Sequence, residues 1–198
     1  MTTIQDDSGA HLTSLLATRL RMERETRGWS IADLAAQSGV SRAMISKVER
    51  AEASPTAALL GRLSAAFGMT LSTLLARAEG DASPAGRVAR AAEQPLWRDP
   101  ATGYLRRTVT PPASTMELIR VELPAGAKVS YPAATYIDWE HVIWSLEGTL
   151  RFHEGNTYHD LAAGDCLTLG TPQDCAFENA TSTLCTYLVV LTRRHGAK

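Results

Sequence analysis

The spacing of apolar residues changes once along this chain of 198 residues, near residue 96. Before that point apolar residues recur at helical intervals, as Leu12, Leu16 and Leu20 do. After it, apolar and polar residues alternate through many short segments that Gly, Pro, Asn and Asp separate, which is typical of β-strands. The chain therefore contains an all-α part followed by an all-β part, and its length allows two small domains.

The composition, with 44% apolar and 21% charged residues, is that of a folded globular protein. No apolar run approaches the roughly 18 residues that a membrane helix needs, and the polar residues 1–10 are unlike a secretory signal. Cys166, Cys175 and Cys185 form no CxxC pair, which argues against a disulfide framework or a zinc knuckle. A cytoplasmic protein with no membrane partner is expected.

The predicted domains are a helical domain at 12–76, an Ala-, Gly- and Ser-rich linker at 77–95, and a β domain at 96–194. From Leu12 to Ala76 there are 8 Lys and Arg against 5 Asp and Glu, whereas from Trp97 to Lys198 there are 9 against 11. A basic module joined to a mildly acidic one is a pattern found in nucleic-acid-binding proteins.

Glycines and capping residues divide the helical part into five short helices. Gly28 ends the first, and Gly39 supplies the positive φ of a tight turn between the second and third. Ser54-Pro55 provides an N-cap and a first-turn proline for the fourth helix, which ends at Gly68. The other predicted N-caps are Ser30 for the second helix, Ser41 for the third, and Thr70 or Ser72 for the fifth.

The third predicted helix has two contrasting faces. At about 100° per residue, Met44, Ile45 and Val48 share one arc with Ser41, and this arc is expected to be buried. Arg and Lys can donate to guanine, Ser can donate or accept, and Ala can touch a thymine methyl group, so the opposite arc suits the major groove of DNA. That arc contains Arg42, Ala43, Ser46, Lys47 and Arg50.

The segment SIADLAAQSGVSRAMISKVER, with the following SPTAALLGRLSAAFGMTLSTLL, resembles the helix-turn-helix domain of the XRE family, the relatives of lambda-type phage repressors. The resemblance covers about Leu16–Ala76 and implies a five-helix bundle whose third helix reads the major groove. It places Arg24 and Glu49 in an internal ion pair. With the face analysis it implies DNA contacts from Ser30, Ile31, Ser41, Arg42, Ala43, Ser46, Lys47 and Arg50.

Two points qualify the DNA contacts. Many relatives have Gln where Ile31 stands, so a backbone N–H is expected to replace that side chain at the phosphate. The alternative for the whole basic face is a solvated surface on a bundle that binds no DNA.

The stretch EHVIWSLEGTLRFHEGNTYHDLAAGDCLTLGTPQDCAFEN resembles the double-stranded β-helix of the cupin superfamily, over roughly Leu105–Leu191. The LEG turn at Gly148, the AAGD turn at Gly164, Pro172 and Asn179 fall at the family's spacing. The predicted strands are Leu105–Thr110, Met116–Leu123, Lys128–Tyr131, Trp139–Leu146, Thr149–His153, Tyr158–Leu161, Asp165–Leu169, Ala176–Asn179 and Thr183–Thr192.

Catalytic cupins hold a metal with two histidines and a glutamate from the first motif and a histidine from the second. The corresponding positions here fall near Ala134 and Tyr136 and at His141 and Cys175, so none has the expected ligand type. The sequence therefore predicts no enzyme, no metal and no cofactor. Two alternatives stay open: a zinc ion on His141 and Cys175, or a rearranged site in which Asp138 or Glu140 supplies an oxygen.

Aromatic residues cluster where the family has its pocket mouth. If His141 points inward, alternation sends Trp139, Ile143 and Ser145 inward as well. Such a pocket suits a small organic molecule with one polar end, although the same aromatics could fill the core or a dimer interface. The expected pocket residues are Tyr131, Tyr136, Trp139, His141, Ile143 and Cys175. His153 and His159 are predicted at the surface, and Cys166 and Cys185 are predicted to pack as small apolar residues.

Together the two resemblances imply a transcriptional regulator of the XRE–cupin type. The expected partners are a double-stranded DNA operator, a small-molecule effector in the barrel, and a second copy of the chain, because paired half-sites require a dimer. The alternatives are a cupin-type metal-dependent oxygenase or epoxidase, and a metal-free module that only dimerises.

Overall fold

The computed structural model describes residues 7–80, 87–111 and 114–194. The chain divides into two compact units, Met1–Pro84 and Ala85–Lys198. The first helix begins at Asp7 and the fifth ends at Glu79, so the helical unit extends beyond the predicted 12–76 at both ends. The start of the predicted linker is thus helical, because Leu74, Leu75 and Ala78 lie on one buried face. Residues 81–86 of that linker lie outside the described residues.

The described part of the first unit forms five helices, as predicted, and its side-chain caps explain where they begin. Ser30 caps α2, Ser41 caps α3 and Thr70 caps α5, each by accepting a backbone N–H three residues later. Gly28 and Gly39 have φ values of 68° and 66°, which lets the chain reverse after α1 and α2. The helices are α1 (Asp7–Thr26), α2 (Ile31–Ser38), α3 (Arg42–Glu49), α4 (Ala57–Ala66) and α5 (Leu71–Glu79).

The start of α4 differs from the prediction. Thr56, not Ser54, is its N-cap, and its hydroxyl accepts from the Leu59 N–H at 3.3 Å. Pro55 lies before the helix and is buried, so its ring packs inside the unit instead of opening the first turn. The Ser54-Pro55 pair is a local signal for a helix start. Because Pro55 is buried inside the unit, the helix begins two residues later than this signal indicates, at Ala57.

Glu23 is the centre of an ion cluster inside the helical unit. It is 4% exposed and contacts three guanidinium groups, those of Arg19, Arg27 and Arg77. These hydrogen bonds hold the pKa of Glu23 at about 2, although burial alone would raise it. Because Arg77 is in the last turn of α5, the cluster fastens the end of the unit to α1.

The described part of the second unit forms ten strands in two sheets. The boundaries match the predictions closely, apart from the unpredicted strand at Leu96–Arg98 and a short 3-10 turn at Ala133–Tyr136. The strands are β1 (Leu96–Arg98), β2 (Leu105–Thr108), β3 (Met116–Leu123), β4 (Lys128–Tyr131), β5 (Trp139–Glu147), β6 (Thr149–Glu154), β7 (Thr157–Ala162), β8 (Cys166–Thr168), β9 (Cys175–Glu178) and β10 (Cys185–Arg193).

The strand pairing shows that the eight strands from β3 to β10 form one long antiparallel hairpin, which is coiled about the barrel axis. The hairpin turns between β6 and β7, and outward from it β5 pairs with β8, β4 with β9, and β3 with β10, all antiparallel. Along each arm of the hairpin, β3 to β6 and β7 to β10, successive strands alternate between a sheet in the order β1-β2-β3-β10-β5-β8 and a sheet in the order β4-β9-β6-β7. This topology is a double-stranded β-helix, as predicted.

The interior of the barrel is aromatic. Phe177 stacks on Tyr187 with ring centroids 5.4 Å apart and meets Phe152 edge-on at 4.9 Å. Cys185 is fully buried, as predicted, but the prediction for Cys166 was wrong: it is exposed, because β8 is an edge strand and Cys166 pairs with Trp144 on the outer face.

Within the described residues, no single helix has the length and hydropathy to cross a membrane. Only α4 and α5 together pass that test, and they are bent by 93° at the break between them.

Candidate nucleic-acid interface and ligand cleft

Helix α3 exposes most of the residues predicted to contact DNA. Ser41, Arg42, Ala43 and Lys47 are exposed, and Ser46 is half-buried behind them. The Ser41 hydroxyl is engaged at the helix N-terminus, where it accepts from the Met44 N–H. The free side chains of this face are therefore one arginine, one lysine and a methyl group.

The opposite side of α3 is anchored in three ways. Ile45 and Val48 are each 1% exposed, and Glu49 forms a bidentate ion pair with Arg24 of α1, with both N–O distances 2.8 Å. The predicted ion pair is confirmed. The prediction for Met44 was wrong, since it is 37% exposed: it lies in the first turn of α3, at the edge of the buried arc.

Arg50 differs from the other predicted DNA contacts because it already has anionic and polar partners. Its guanidinium forms two hydrogen bonds with Glu52, at 2.7 and 2.8 Å, and a third with the Ser46 hydroxyl. A DNA phosphate or base would have to compete with Glu52 for Arg50. Since both side chains are exposed, that competition costs little free energy.

The N-terminus of α2 presents a carboxylate. Ser30 and Asp33 form a capping box in which the Asp33 carboxylate accepts from both the Ser30 N–H and the Ser30 hydroxyl. These hydrogen bonds lower the pKa of Asp33, so it is charged at neutral pH. The predicted phosphate contacts at Ser30 and Ile31 therefore lie beside a negative charge, which weakens phosphate binding there.

The barrel has a narrow cleft at one end, and four of the six predicted pocket residues line it: Tyr136, Trp139, His141 and Cys175. The enclosed volume is about 10 Å³, close to what a single water molecule needs. Of the other two, Tyr131 lies directly behind Tyr136, with ring centroids 6.4 Å apart, and Ile143 is fully buried in the core.

The imidazole and thiol in the cleft are both uncharged. Burial lowers the pKa of His141 to about 3 and raises the pKa of Cys175 to about 12. His141 Nδ1 is buried and has no hydrogen-bond partner among the described residues. The cleft therefore offers neutral hydrogen-bonding groups and an aromatic wall.

The metal site of catalytic cupins does not fit these residues. Catalytic cupins hold their metal with histidines and a glutamate, whereas here Cys175 stands at one ligand position and Tyr136 at another, with its ring against His141. Among the described residues, no group of three or more His, Cys, Asp or Glu is placed to hold a metal ion. The donor set of the cleft therefore does not match that of a catalytic cupin.

Sequence reasoning missed several residues of the cleft, and they come from distant segments. Arg194 lies just after β10, and its Nε donates to the Trp139 carbonyl at 3.1 Å. Glu154, at the end of β6, accepts from the Gly170 N–H at 2.8 Å. Nothing local marks either residue, because the pairing of β5 with β10 brings Arg194 to the cleft and the pairing of β6 with β9 brings Glu154 beside Cys175. The remaining missed lining residues are Leu169, Gly170, Thr171, Pro172 and Gln173.

The α2–turn–α3 geometry, with an anchored third helix and a basic outer face, is that of a helix-turn-helix module, and the same chain contains a double-stranded β-helix. A helix-turn-helix family model, HTH_3, matches residues 20–74. The "HTH-type transcriptional regulator SutR" of Escherichia coli is 40% identical over 65 residues, which are 33% of this chain and 36% of that protein. The match thus spans about a third of the length of this relative.

Two solved structures extend the comparison. An HTH_3 family transcriptional regulator from Vibrio cholerae aligns over 94% of this chain and 99% of its own, with a TM-score of 0.77 and 19% identity. This likeness shows the fold across nearly the whole chain. The Cupin_2 domain of an XRE family transcriptional regulator from Enterobacter cloacae aligns over 46% of this chain and 98% of its own, with a TM-score of 0.42 and 10% identity. The helical unit thus matches a helix-turn-helix family model, and in the same chain it is followed by a double-stranded β-helix.

Proposed function

We propose that this chain is a sequence-specific DNA-binding transcriptional regulator whose barrel binds a small-molecule effector. The observation that carries the proposal is the surface of α3, where Arg42, Ala43 and Lys47 are exposed on a helix anchored from behind by Ile45, Val48 and the Arg24–Glu49 pair. A rigid helix with a basic outer face and no competing ion pair at Arg42 or Lys47 among the described residues suits the major groove. Such a role fits the cytoplasmic location expected from the sequence.

DNA selection tests this proposal directly. The full chain is used to select duplexes from a random pool, and affinity for the enriched site is measured by fluorescence anisotropy. Arg42→Ala should weaken binding to that site roughly 10–100-fold and relax its preference at one base pair. Lys47→Ala should weaken binding at any sequence and reduce the salt dependence if it contacts phosphate.

The matched control is Arg62→Ala on α4, which removes one exposed arginine from the same domain outside the proposed interface. Its affinity should stay within about twofold of the unchanged chain. Failure of the selection to enrich any sequence, or an equal loss in Arg42→Ala and Arg62→Ala, would favour the solvated-surface alternative.

Binding to paired half-sites requires two copies, and the outer face of the six-stranded sheet is the surface we propose for their contact. Antiparallel strands with one solvated face alternate in polarity, but β10 has apolar residues on both faces. Its outward Val190 pairs with Leu118 and Val142, and its outward Leu188 pairs with Trp144, which is 46% exposed. These five residues form a continuous outer patch across β3, β10 and β5.

The size and charge of this face fit a second copy of the chain. With strands ~4.8 Å apart and ~3.3 Å per residue, the sheet measures roughly 600 Å² per copy, so a pair buries roughly 1,200 Å², at the lower end for specific interfaces. Arg107 and the Arg120–Glu122 ion pair lie towards one edge of the patch, and Glu140 lies towards the other. A two-fold axis parallel to the strands places the basic edge of one copy over the acidic edge of the other.

Sedimentation velocity on the full chain tests the dimer face. Trp144→Glu should shift the chain to monomer and weaken binding to a paired operator more than to a single half-site. Tyr158→Glu is the matched control, because Tyr158 is 60% exposed on β7 of the other sheet and should leave the dimer intact. A monomeric unchanged chain at high micromolar concentration would contradict the assignment.

A further inference from the structure

The segment between β4 and β5 places one aromatic ring inside the cleft while its backbone stays at the surface. Tyr136 is 5% exposed, whereas Ala134 is exposed and Ile137 is 57% exposed. The Tyr136 ring meets the His141 ring edge-on, with centroids 4.4 Å apart, and its hydroxyl interacts with the Cys175 thiol. The side chain therefore plugs the cleft.

The segment that carries this plug is held to the barrel by few hydrogen bonds. The Ala133 N–H donates to Asp174 Oδ1 at 2.9 Å, and the Arg194 N–H donates to the Asp138 carbonyl at 3.1 Å. Its short 3-10 turn has no side-chain cap, and the buried Thr135 hydroxyl has no hydrogen-bond partner among the described residues. Moving the segment outward therefore breaks few contacts besides those of the Tyr136 ring.

The groups around the ring define what could replace it. The rings of Tyr131 and His141 pack against the Tyr136 ring, and the Cys175 thiol lies beside the Tyr136 hydroxyl. The buried Nδ1 of His141 has no hydrogen-bond partner among the described residues, so it can accept from a ligand donor. Both His141 and Cys175 are neutral, so neither can compensate the charge of a buried anion. In the described part of the chain, two cations lie near the cleft, and both are engaged: Arg194 Nε donates to the Trp139 carbonyl, and the buried Arg106, whose charge reaches His141, interacts with Tyr104 and Glu117.

We propose that the barrel takes a small neutral phenol or aryl alcohol in the place of the Tyr136 ring, which acts as a built-in occupant until the ligand displaces it. This assignment rests on the proposed function, because it names the chemical class of the effector. It also explains why the cleft encloses only about 10 Å³: the binding volume is filled by the plug.

Cavity complementation in the full chain tests the proposal, with p-cresol, the free equivalent of the tyrosine side chain, as the probe. Tyr136→Ala should lower the Tm of the barrel by about 10 °C. Millimolar p-cresol should recover at least half of that loss and should raise the Tm of the unchanged chain less, because there it must displace the plug. Benzoate at the same concentration should recover little.

Tyr158→Ala is the control for nonspecific effects, since it removes an equally large but exposed ring and opens no cavity. If Tyr136→Ala does not fold, Tyr136→Leu and ligand-observed NMR of p-cresol with the unchanged chain serve the same test. A p-cresol stabilisation of Tyr136→Ala no larger than that of Tyr158→Ala would overturn the proposal, as would equal recovery with benzoate.

Operator affinity separates this proposal from the function on which it rests. A change of at least threefold in the operator affinity of the unchanged chain with p-cresol supports both. Thermal recovery without any change in operator affinity supports the ligand site but overturns the effector role. Absence of any selected operator overturns the regulator function, whatever the thermal data show.

Discussion

Helix α3 and the barrel mouth both bring predicted functional residues together, but by different means. On α3 the candidate DNA contacts fall within ten consecutive positions, and two N-caps and one left-handed glycine set their orientation. At the barrel mouth, Tyr136, His141, Cys175 and Arg194 come from four segments that strand pairing brings together. The first surface depends on local backbone rules, whereas the second depends on long-range pairing.

The largest expected loss of stability comes from a glycine substitution, and its size should differ between the barrel and the helical unit. Gly148→Ala should cost about 4 kcal/mol of barrel stability, because φ is +74° and the new Cβ would lie 2.7 Å from the Leu184 carbonyl oxygen. Gly39→Ala should cost about 1 kcal/mol, since its φ is +66° but nothing lies within 4 Å. Differential scanning calorimetry on the full chain measures both. Equal losses would contradict the distinction between local and long-range control.

The Arg24–Glu49 pair is the long-range element of the helical unit. Arg24→Ala should cost about 3 kcal/mol, because it leaves the Glu49 carboxylate, 7% exposed, without its bidentate partner. Urea denaturation measures the loss. The double variant Arg24→Met/Glu49→Leu should regain most of the stability, and a double variant as unstable as Arg24→Ala would show that packing, not charge pairing, anchors α3.

The Glu23 cluster predicts a pH dependence confined to the helical unit. The folded pKa of about 2 lies below the ordinary value of 4.5, so the contribution is full above pH 4.5 and is lost as the pH falls towards 2. Glu23→Gln should therefore cost about 2 kcal/mol at pH 7 and progressively less below pH 4.5. Urea titrations across this pH range compare the two chains, and a pH-independent difference would contradict the charge-based account.

Asp33→Asn gives the smallest expected effect, and it tests the candidate DNA surface. Removing the negative charge at the α2 N-terminus should strengthen DNA binding about two- to threefold at low salt, because phosphate no longer meets a carboxylate there. Fluorescence anisotropy over a salt series measures it. The gain should shrink as salt rises, and an unchanged affinity would place the α2 N-terminus away from the DNA backbone.

The sequence predicted the fold closely where the signals were local. The ranges of β3 and β4 match to the residue, and Ser30, Gly39, Ser41 and Thr70 have the predicted capping or turn roles. The predictions failed where burial overrides a local signal. Helix α4 begins at Ala57 and not at the buried Pro55, and Met44 and Cys166 are exposed although both were predicted to be buried. Local patterns indicate which secondary structure a segment can form, but they do not indicate which other segments pack over it.

For the ligand cleft, the sequence predicted four lining residues but not the state of the cleft. Alternation correctly indicated that His141, Ile143 and Ser145 face inward on β5, because side chains on a strand alternate between faces. It could not indicate that the Tyr136 ring fills the space or that Arg194 and Glu154 complete the lining. Those facts depend on the path of the segment between β4 and β5 and on the pairing of β5 with β10 and of β6 with β9.

The sequence by itself determined the two-part architecture, the helix-turn-helix and the identity of the exposed α3 face, because capping, turn and periodicity rules act over a few residues. Tertiary structure alone decided which rings fill the barrel mouth, which sheet face stays apolar and open, and that Glu23 gathers three arginines. The physical reason is that burial, which sets these outcomes, depends on contacts between segments far apart in the chain.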